Sequence, residues 1–98
     1  MANTLTSKQR AALRSLANTL EPIFQVGKSG VTPALTQQLD EALEARELIK
    51  GTVLETADVT AKEALETLAG RLHAVPVQCI GRKIVLYRRS KDKPRIEV

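Results

Sequence analysis

The sequence predicts a two-layer α/β domain in which three helices cover a mixed sheet of four strands. Two observations lead to this fold class. Three helical patterns, each with its own N-terminal cap, alternate with short β-rich runs, and strands separated by helices pair in parallel. The last two β-rich runs are separated by only two residues, which adds an antiparallel hairpin. A chain of 98 residues has room for one such domain, spanning the whole chain.

The first helix begins after Thr6, which forms a capping box with Gln9. Its apolar side chains recur at helical spacing. They are Leu13, Leu16, Ala17 and Leu20. Pro22 requires the helix to end before it, at about Asn18, and residues 23–26 then form the first strand.

The second helix begins at Pro33, because Thr32 is a favourable cap and proline suits the first helical position. Its buried stripe consists of Leu35, Leu39, Ala42 and Leu43. Its outer side carries an acidic stripe of Asp40, Glu44 and Glu47. We expect this stripe either to be solvated or to face a basic protein.

Residues 48–54 form the second predicted strand, interrupted by Gly51. Thr60 and Glu63 form a second capping box, which starts the third helix. The apolar stripe of that helix is Ala61, Leu65, Leu68 and Leu72. Gly70 falls within this stripe and costs about 1 kcal/mol relative to alanine, so an early helix end is possible there.

The predicted hairpin pairs residues 75–80 with residues 83–88 through Gly81 and Arg82, a pattern typical of a type II′ turn. Strand alternation predicts that Cys79 is buried together with Val75 and Val77. Tyr87 is expected to pack on the sheet rather than to stack on a base. The core is expected over residues 5–89, and residues 90–98 are charged and predicted to be a flexible basic tail.

The net charge of +4 is unevenly distributed along the chain. Residues 1–30 carry a net charge of +3, residues 31–72 carry −4 and residues 73–98 carry +5. Two basic ends around an acidic middle are compatible with nucleic-acid binding through one face. The only aromatic residues, Phe24 and Tyr87, are too few to build a platform on which many bases stack.

Several classes of protein are disfavoured by composition. A single cysteine, Cys79, and a single histidine, His73, exclude an internal disulfide and a Cys- or His-based metal centre. His73 is expected at the surface. No apolar stretch is long enough for a membrane span, and the N-terminus lacks the apolar core of a signal peptide, so a cytoplasmic protein is expected.

The loop between the first strand and the second helix carries the strongest functional signal. It consists of Gly27, Lys28, Ser29 and Gly30, a GxxG pattern directly before a helix N-terminus. Helix N-termini attract phosphate, glycines allow close approach of a nucleic-acid backbone, and Lys28 adds a cation. GxxG by itself is also compatible with an ordinary tight turn. A nucleotide-binding P-loop is excluded, because Pro22 occupies the position where that pattern needs its first glycine.

Three separated blocks of the sequence resemble the CRM domain (chloroplast RNA splicing and ribosome maturation). The first block contains the 26–32 segment, the second contains residues 42–50 and the third is the hairpin of residues 77–88. The resemblance covers residues 5–89, and the single-domain form is similar to bacterial YhbY-type proteins. It implies a fold similar to the C-terminal domain of translation initiation factor three, with sheet order 1-2-4-3 and an antiparallel last strand.

The resemblance also implies an RNA-binding domain that associates with precursors of the large ribosomal subunit. Its GxxG loop corresponds to residues 27–30. Its basic surface corresponds to Arg10, Arg14, Lys50, Arg82, Lys83 and Arg88.

Two functional hypotheses follow. The first is a non-enzymatic, monomeric protein that binds large-subunit rRNA through the loop and the basic surface, without cofactor, metal, small-molecule substrate or membrane. The second is a protein-interaction adaptor that uses the acidic second helix. An enzyme is disfavoured, because no catalytic set of side chains or valid nucleotide motif is present.

Overall fold

A computed structural model describes residues 5–92, 94 and 96 of the chain. All seven predicted elements are present in the predicted order. They are α1 (Ser7–Ala17), β1 (Phe24–Val26), α2 (Pro33–Arg46), β2 (Leu48–Val53), α3 (Ala61–Leu72), β3 (Val75–Ile80) and β4 (Lys83–Tyr87). Both predicted capping boxes form at α1 and α3, and the side chain of Thr32 caps α2. The capping residues in the sequence therefore predicted the first residue of each helix correctly.

The four strands form one mixed sheet in the order β1-β2-β4-β3. β1 and β2 are parallel, whereas β4 lies between β2 and β3 and is antiparallel to both. This confirms the sheet order and the antiparallel last strand. Gly81 has φ +58°, as the first central position of a type II′ turn requires.

The two faces of the sheet are covered by different helices. α2 and α3 pack on one face, over a core that includes Phe24, Ile49 and Ile84. α1 packs on the opposite face, where Leu13 and Ala17 are buried against strand side chains. Those strand side chains are Leu48, Val77, Val85 and Tyr87. The prediction of two layers is therefore corrected to helices on both faces, because strands β2 and β4 alternate apolar side chains toward each face.

Gly51 is required by close packing inside the sheet. It pairs with Phe24 of β1, and a Cβ atom at this position would overlap the Phe24 ring. The glycine that interrupts the apolar run of β2 thus makes room for the largest apolar side chain in the sequence. Gly70, in contrast, has open space around it, and α3 continues past it to Leu72. The expected early helix end is not observed.

The prediction that Cys79 is buried is wrong, because the pairing of β3 with β4 shifts register between Pro76 and Gln78. A bulge adds one residue to a strand and reverses the alternation beyond it. Val77 faces the α1 core, whereas Cys79 pairs with Ile84, whose side chain belongs to the α2–α3 core. Cys79 therefore lies on the other face, at the exposed end of an edge strand.

The acidic stripe of α2 binds the segment that follows β4. Glu47 is completely buried, and its carboxylate accepts hydrogen bonds of 2.7 Å from the backbone N–H groups of Ser90 and Ile96. The Glu44 carboxylate accepts bonds from the Ser90 hydroxyl and from the backbone N–H of Lys91. Described residues of the predicted tail are thus hydrogen-bonded to the end of α2, because two carboxylates pair with their backbone amides. The rest of residues 90–98 lies outside the described part of the chain.

The same contacts reduce the acidic surface that α2 offers to a protein partner, although the Asp40 side chain remains 61% exposed. Glu47 is inaccessible, and Glu44 is occupied by the chain's own backbone. Asp40, the third member, is bound by the side chain of Arg88.

Candidate nucleic-acid interface

The 27–30 loop folds as a tight turn closed by a 2.9 Å hydrogen bond from the amide of Gly30 to the carbonyl of Gly27. Lys28 and Ser29 occupy the two central positions, and both are exposed. No hydrogen bond from their backbone amides occurs within the described residues. The turn therefore presents a cation, a hydroxyl and backbone donors to the solvent, a combination suited to phosphate.

The two glycines of the loop have different roles. Gly30 has φ +71°, a conformation that side-chain-bearing residues rarely adopt. A Cβ at Gly27 would meet only Leu54 at an ordinary contact distance of 3.7 Å. The turn itself thus requires Gly30, whereas Gly27 is free to serve close approach by a ligand.

The helix that follows adds fewer free donors than a typical helix start. Pro33 has no N–H group, and the amide of Leu35 donates to the Thr32 side chain at 3.1 Å. The positive end of the α2 dipole still lies directly behind the loop. The loop, more than the first helical turn, is therefore the part that can contact an anion.

The loop and the hairpin turn lie at the same end of the sheet. The amide of Leu54 donates to Val26 at 2.9 Å, and the amide of Val53 donates to the carbonyl of Arg82 at 2.8 Å. The end of β2 is thereby bonded to the end of β1 on one side and to the β3–β4 turn on the other. Of the predicted site residues, the structure brings together the loop, Arg82 and Lys83.

Two further charged residues lie close to the loop or to the hairpin turn and change the charge at this end of the sheet. Glu55 lies between the loop and the turn, and its carboxylate is 3.7 Å from the Arg82 guanidinium, with both side chains largely exposed. Arg71, at the end of α3, donates to the carbonyl of Val31 at 3.3 Å, one residue beyond the loop. Sequence reasoning did not select Arg71, although a basic residue in a last helical turn is a recognisable signal.

The predicted residues of α1 and β2 form a second group. Arg10 donates to the carbonyl of Pro76 at 2.6 Å, and Lys50 lies 3.4 Å from the carbonyl of Ala17 at the end of α1. Arg14 is half-buried in the last turn of the same helix. Arg10 and Lys50 thus join α1 to the sheet through hydrogen bonds. Both residues are half-buried.

Arg88 differs from the other predicted site residues. Its side chain is only 14% exposed and donates to the carboxylate of Asp40 at 2.7 Å and to the carbonyl of Leu72 at 3.0 Å. The guanidinium therefore joins the end of β4 to α2 and to the end of α3. These contacts assign it a structural role, and we do not include it in the interface.

Tyr87 and His73 also have structural positions. Tyr87 packs on the sheet, as expected, and α1 covers it. This burial raises the pKa of its phenol, with a further upward contribution from the charge of Glu47. His73 is exposed, as expected, and ends α3 in a left-handed conformation.

The described residues offer neither a metal site nor a membrane-spanning helix. They contain no group of three or more side chains able to hold a metal ion. No helix among them is long and apolar enough to cross a bilayer.

Comparison with known proteins identifies relatives along nearly the full chain. A Bacillus subtilis protein named "Probable RNA-binding protein YqeI" is 48% identical over 94 residues, which cover 96% of this chain and 98% of the relative. A Haemophilus influenzae protein named "RNA-binding protein" is 34% identical, with 91% of this chain and 90% of the relative covered.

The solution structure of the hypothetical protein SAV1595 from Staphylococcus aureus has the same fold. It superposes with a TM-score of 0.81 at 46% identity, covering 97% of this chain and 99% of that protein. The model of the CRS1 / YhbY (CRM) domain matches residues 5–88, which include the loop, the sheet and all three helices. The chain therefore belongs to the CRS1/YhbY (CRM) domain family.

Proposed function

We propose that this protein binds RNA without catalysing a reaction, and that its target is rRNA of the precursor large ribosomal subunit, whose assembly it assists. The observation that carries the proposal is the tight 27–30 turn, which exposes Lys28, Ser29 and backbone donors in front of a helix N-terminus. The names of the relatives support RNA as the ligand.

The mechanism is recognition of the RNA backbone. The loop amides and Lys28 contact phosphate, and Arg82 and Lys83 add attraction from the neighbouring turn. The buried position of Tyr87 and Phe24 leaves neither of these two rings available for stacking on bases. Affinity should therefore depend strongly on salt, because each phosphate contact releases bound counterions.

The loop is tested by the double variant Lys28→Ala/Gly30→Asp, measured against a structured fragment of large-subunit rRNA at fixed salt. We expect a loss of affinity of about tenfold or more, because a cation is removed and a carboxylate is placed at the phosphate site. Lys62→Ala is the matched control, since Lys62 is an exposed lysine of α3 that lies beside β3 and not in the loop. Equal affinity of the double variant and the wild type would exclude the loop, provided that thermal unfolding shows both to be folded.

The cellular target is tested separately, by cross-linking the protein to RNA in cells and sequencing the bound fragments. A sharp maximum within large-subunit rRNA, enriched in precursor particles, is the expected result. A signal spread across the transcriptome would reduce the proposal to general RNA affinity.

A further inference from the structure

The face of the sheet that α1 covers is only partly covered. α1 buries Leu48, Val85 and Tyr87, which lie toward one end of the strands. At the other end, one row of side chains on this same face remains accessible. The row crosses all four strands and consists of Gln25, Thr52, Lys83 and Ile80.

The strand register defines this row. Gln25 pairs with Thr52, Thr52 pairs with Lys83, and Lys83 pairs with Ile80. Directly paired residues point to the same face, and Lys83 alternates with Val85, which contacts α1. Gln25 and Lys83 are exposed, Thr52 is half-buried and Ile80 is 62% exposed. Three strand spacings make the row about 14 Å wide.

The row connects the two parts of the proposed interface. At one side, Gln25 is two residues before Gly27 and therefore adjoins the loop. At the other side, Ile80 and Lys83 flank the Gly81–Arg82 turn. A ligand that contacts both the loop and the hairpin turn from this face must pass over the row.

We propose that this row binds an unpaired stretch of RNA that continues from the 27–30 loop toward the hairpin turn, so that the ligand of the interface includes single-stranded nucleotides and not only duplex. The inference rests on the proposed function, since it describes the RNA that the same interface accepts.

The charged side chains in and beside the row favour a polyanion as the ligand of this face. Lys83 lies within the row, Lys28 lies beyond one of its ends and Arg82 beyond the other. The row itself contains no acidic residue, although the carboxylate of Glu55, in the segment after β2, lies 3.7 Å from the Arg82 guanidinium and offsets part of its charge. A phosphate backbone that follows the row therefore meets cations along its path.

The uncharged members of the row select unpaired nucleotides. Ile80 presents an apolar surface, and the apolar surface of RNA is the face of a base, which is hidden by stacking inside a duplex. The Gln25 amide can both donate and accept, and so can the Thr52 hydroxyl, as base edges require. Side chains on the face of a sheet reach base edges only when the bases are splayed onto it.

Two RNA probes separate this proposal from the proposed function: a hairpin of large-subunit rRNA with a mixed-sequence single-stranded extension, and the same hairpin with a blunt end. We expect the wild type to bind the extended hairpin about fivefold or more tightly than the blunt one, the factor that one net hydrogen bond to a base edge supplies. The variant Gln25→Ala/Ile80→Ser should lose this preference while keeping its affinity for the blunt hairpin.

The control is Gln37→Ala, which removes an exposed glutamine on α2 and should retain the preference. Thermal unfolding establishes that each variant is folded. A wild type that binds both probes equally, or a row variant that keeps the preference, would overturn the proposal and leave this face to another class of partner. If the wild type binds neither probe, the proposed function itself fails. If Lys28→Ala/Gly30→Asp weakens both probes while the row variant changes nothing, only the row is excluded.

Discussion

The guanidinium of Arg88 donates to the Asp40 carboxylate at 2.7 Å and to the Asp40 backbone carbonyl at 2.9 Å, so two bonds fix the end of β4 to the middle of α2. A basic residue that sequence reasoning placed in an RNA interface thus joins elements of the fold. These bonds pair the charge of a guanidinium whose side chain is only 14% exposed.

We expect Arg88→Ala to lower the free energy of unfolding by about 2 kcal/mol, since hydrogen bonds to charged groups are lost and the carbonyl of Leu72 loses a donor. Urea denaturation measures this loss. RNA affinity of the folded variant should change less than that of Lys28→Ala at the same salt concentration. If instead the variant were as stable as the wild type and bound RNA poorly, Arg88 would belong to the interface.

Gly51→Ala should destabilise the protein by about 1–3 kcal/mol, because the added Cβ overlaps the buried Phe24 ring, which must shift within the core. The added substitution Phe24→Leu should recover part of the loss by shortening the opposing side chain. Thermal unfolding of the single and double variants measures both effects. An unchanged unfolding midpoint for Gly51→Ala would contradict the packing described here.

The matched glycine control is Gly70→Ala. Gly70 is an exposed helical position with nothing near the added methyl group, so alanine should stabilise α3 by up to about 1 kcal/mol. The two Gly→Ala substitutions are thus expected to change the free energy of unfolding in opposite directions. The sequence alone would not distinguish them.

Glu44 should make stability depend on pH in the acidic range. Hydrogen bonds from the Ser90 hydroxyl and from the amide of Lys91 lower the pKa of Glu44 below its ordinary value of about 4.5. A carboxyl with a lowered pKa in the folded state stabilises that state above its unfolded pKa, and the contribution disappears as the pH falls through the folded pKa. Glu44→Gln should therefore reduce the difference between urea midpoints at pH 7 and pH 3. An identical difference in both proteins would contradict this contribution.

The thiol of Cys79 should react with a disulfide reagent such as DTNB in the native protein, without denaturant. The register shift in β3 places the residue at an exposed position, so reaction requires no unfolding. The rate should match that of the protein in urea to within about tenfold, since exposure differs little between the two states. If the thiol reacted only after unfolding, the exposed position of Cys79 would be wrong and the buried position that simple strand alternation predicts would be right.

Features that depend on local sequence were predictable. The capping residues Thr6, Thr32 and Thr60 determine helix starts within a few residues of themselves, and Gly81 determines the hairpin turn. The 27–30 loop was also selected correctly as a turn between β1 and α2, because its glycines and the following cap are contiguous.

Features that depend on distant residues were not predictable. Glu47 and Ser90 are 43 positions apart, and helical periodicity does not reveal that an apparently outer carboxylate is buried beneath a later segment. The face chosen by α1 depends on which alternate residues of β2 and β4 it can cover. The bulge in β3 is a single-residue irregularity with no clear sequence signal apart from Pro76.

The edge strand β3 has a further consequence for the behaviour of the chain at high concentration. An exposed sheet edge is a template on which a second copy can add its own strand, which leads to aggregation. Here Pro76 offers no N–H group, its carbonyl already accepts from Arg10 at 2.6 Å, and the adjacent register shift bends the strand. Arg10 thus occupies one acceptor of this edge, and we expect Arg10→Ala to reduce colloidal stability before it reduces the free energy of unfolding.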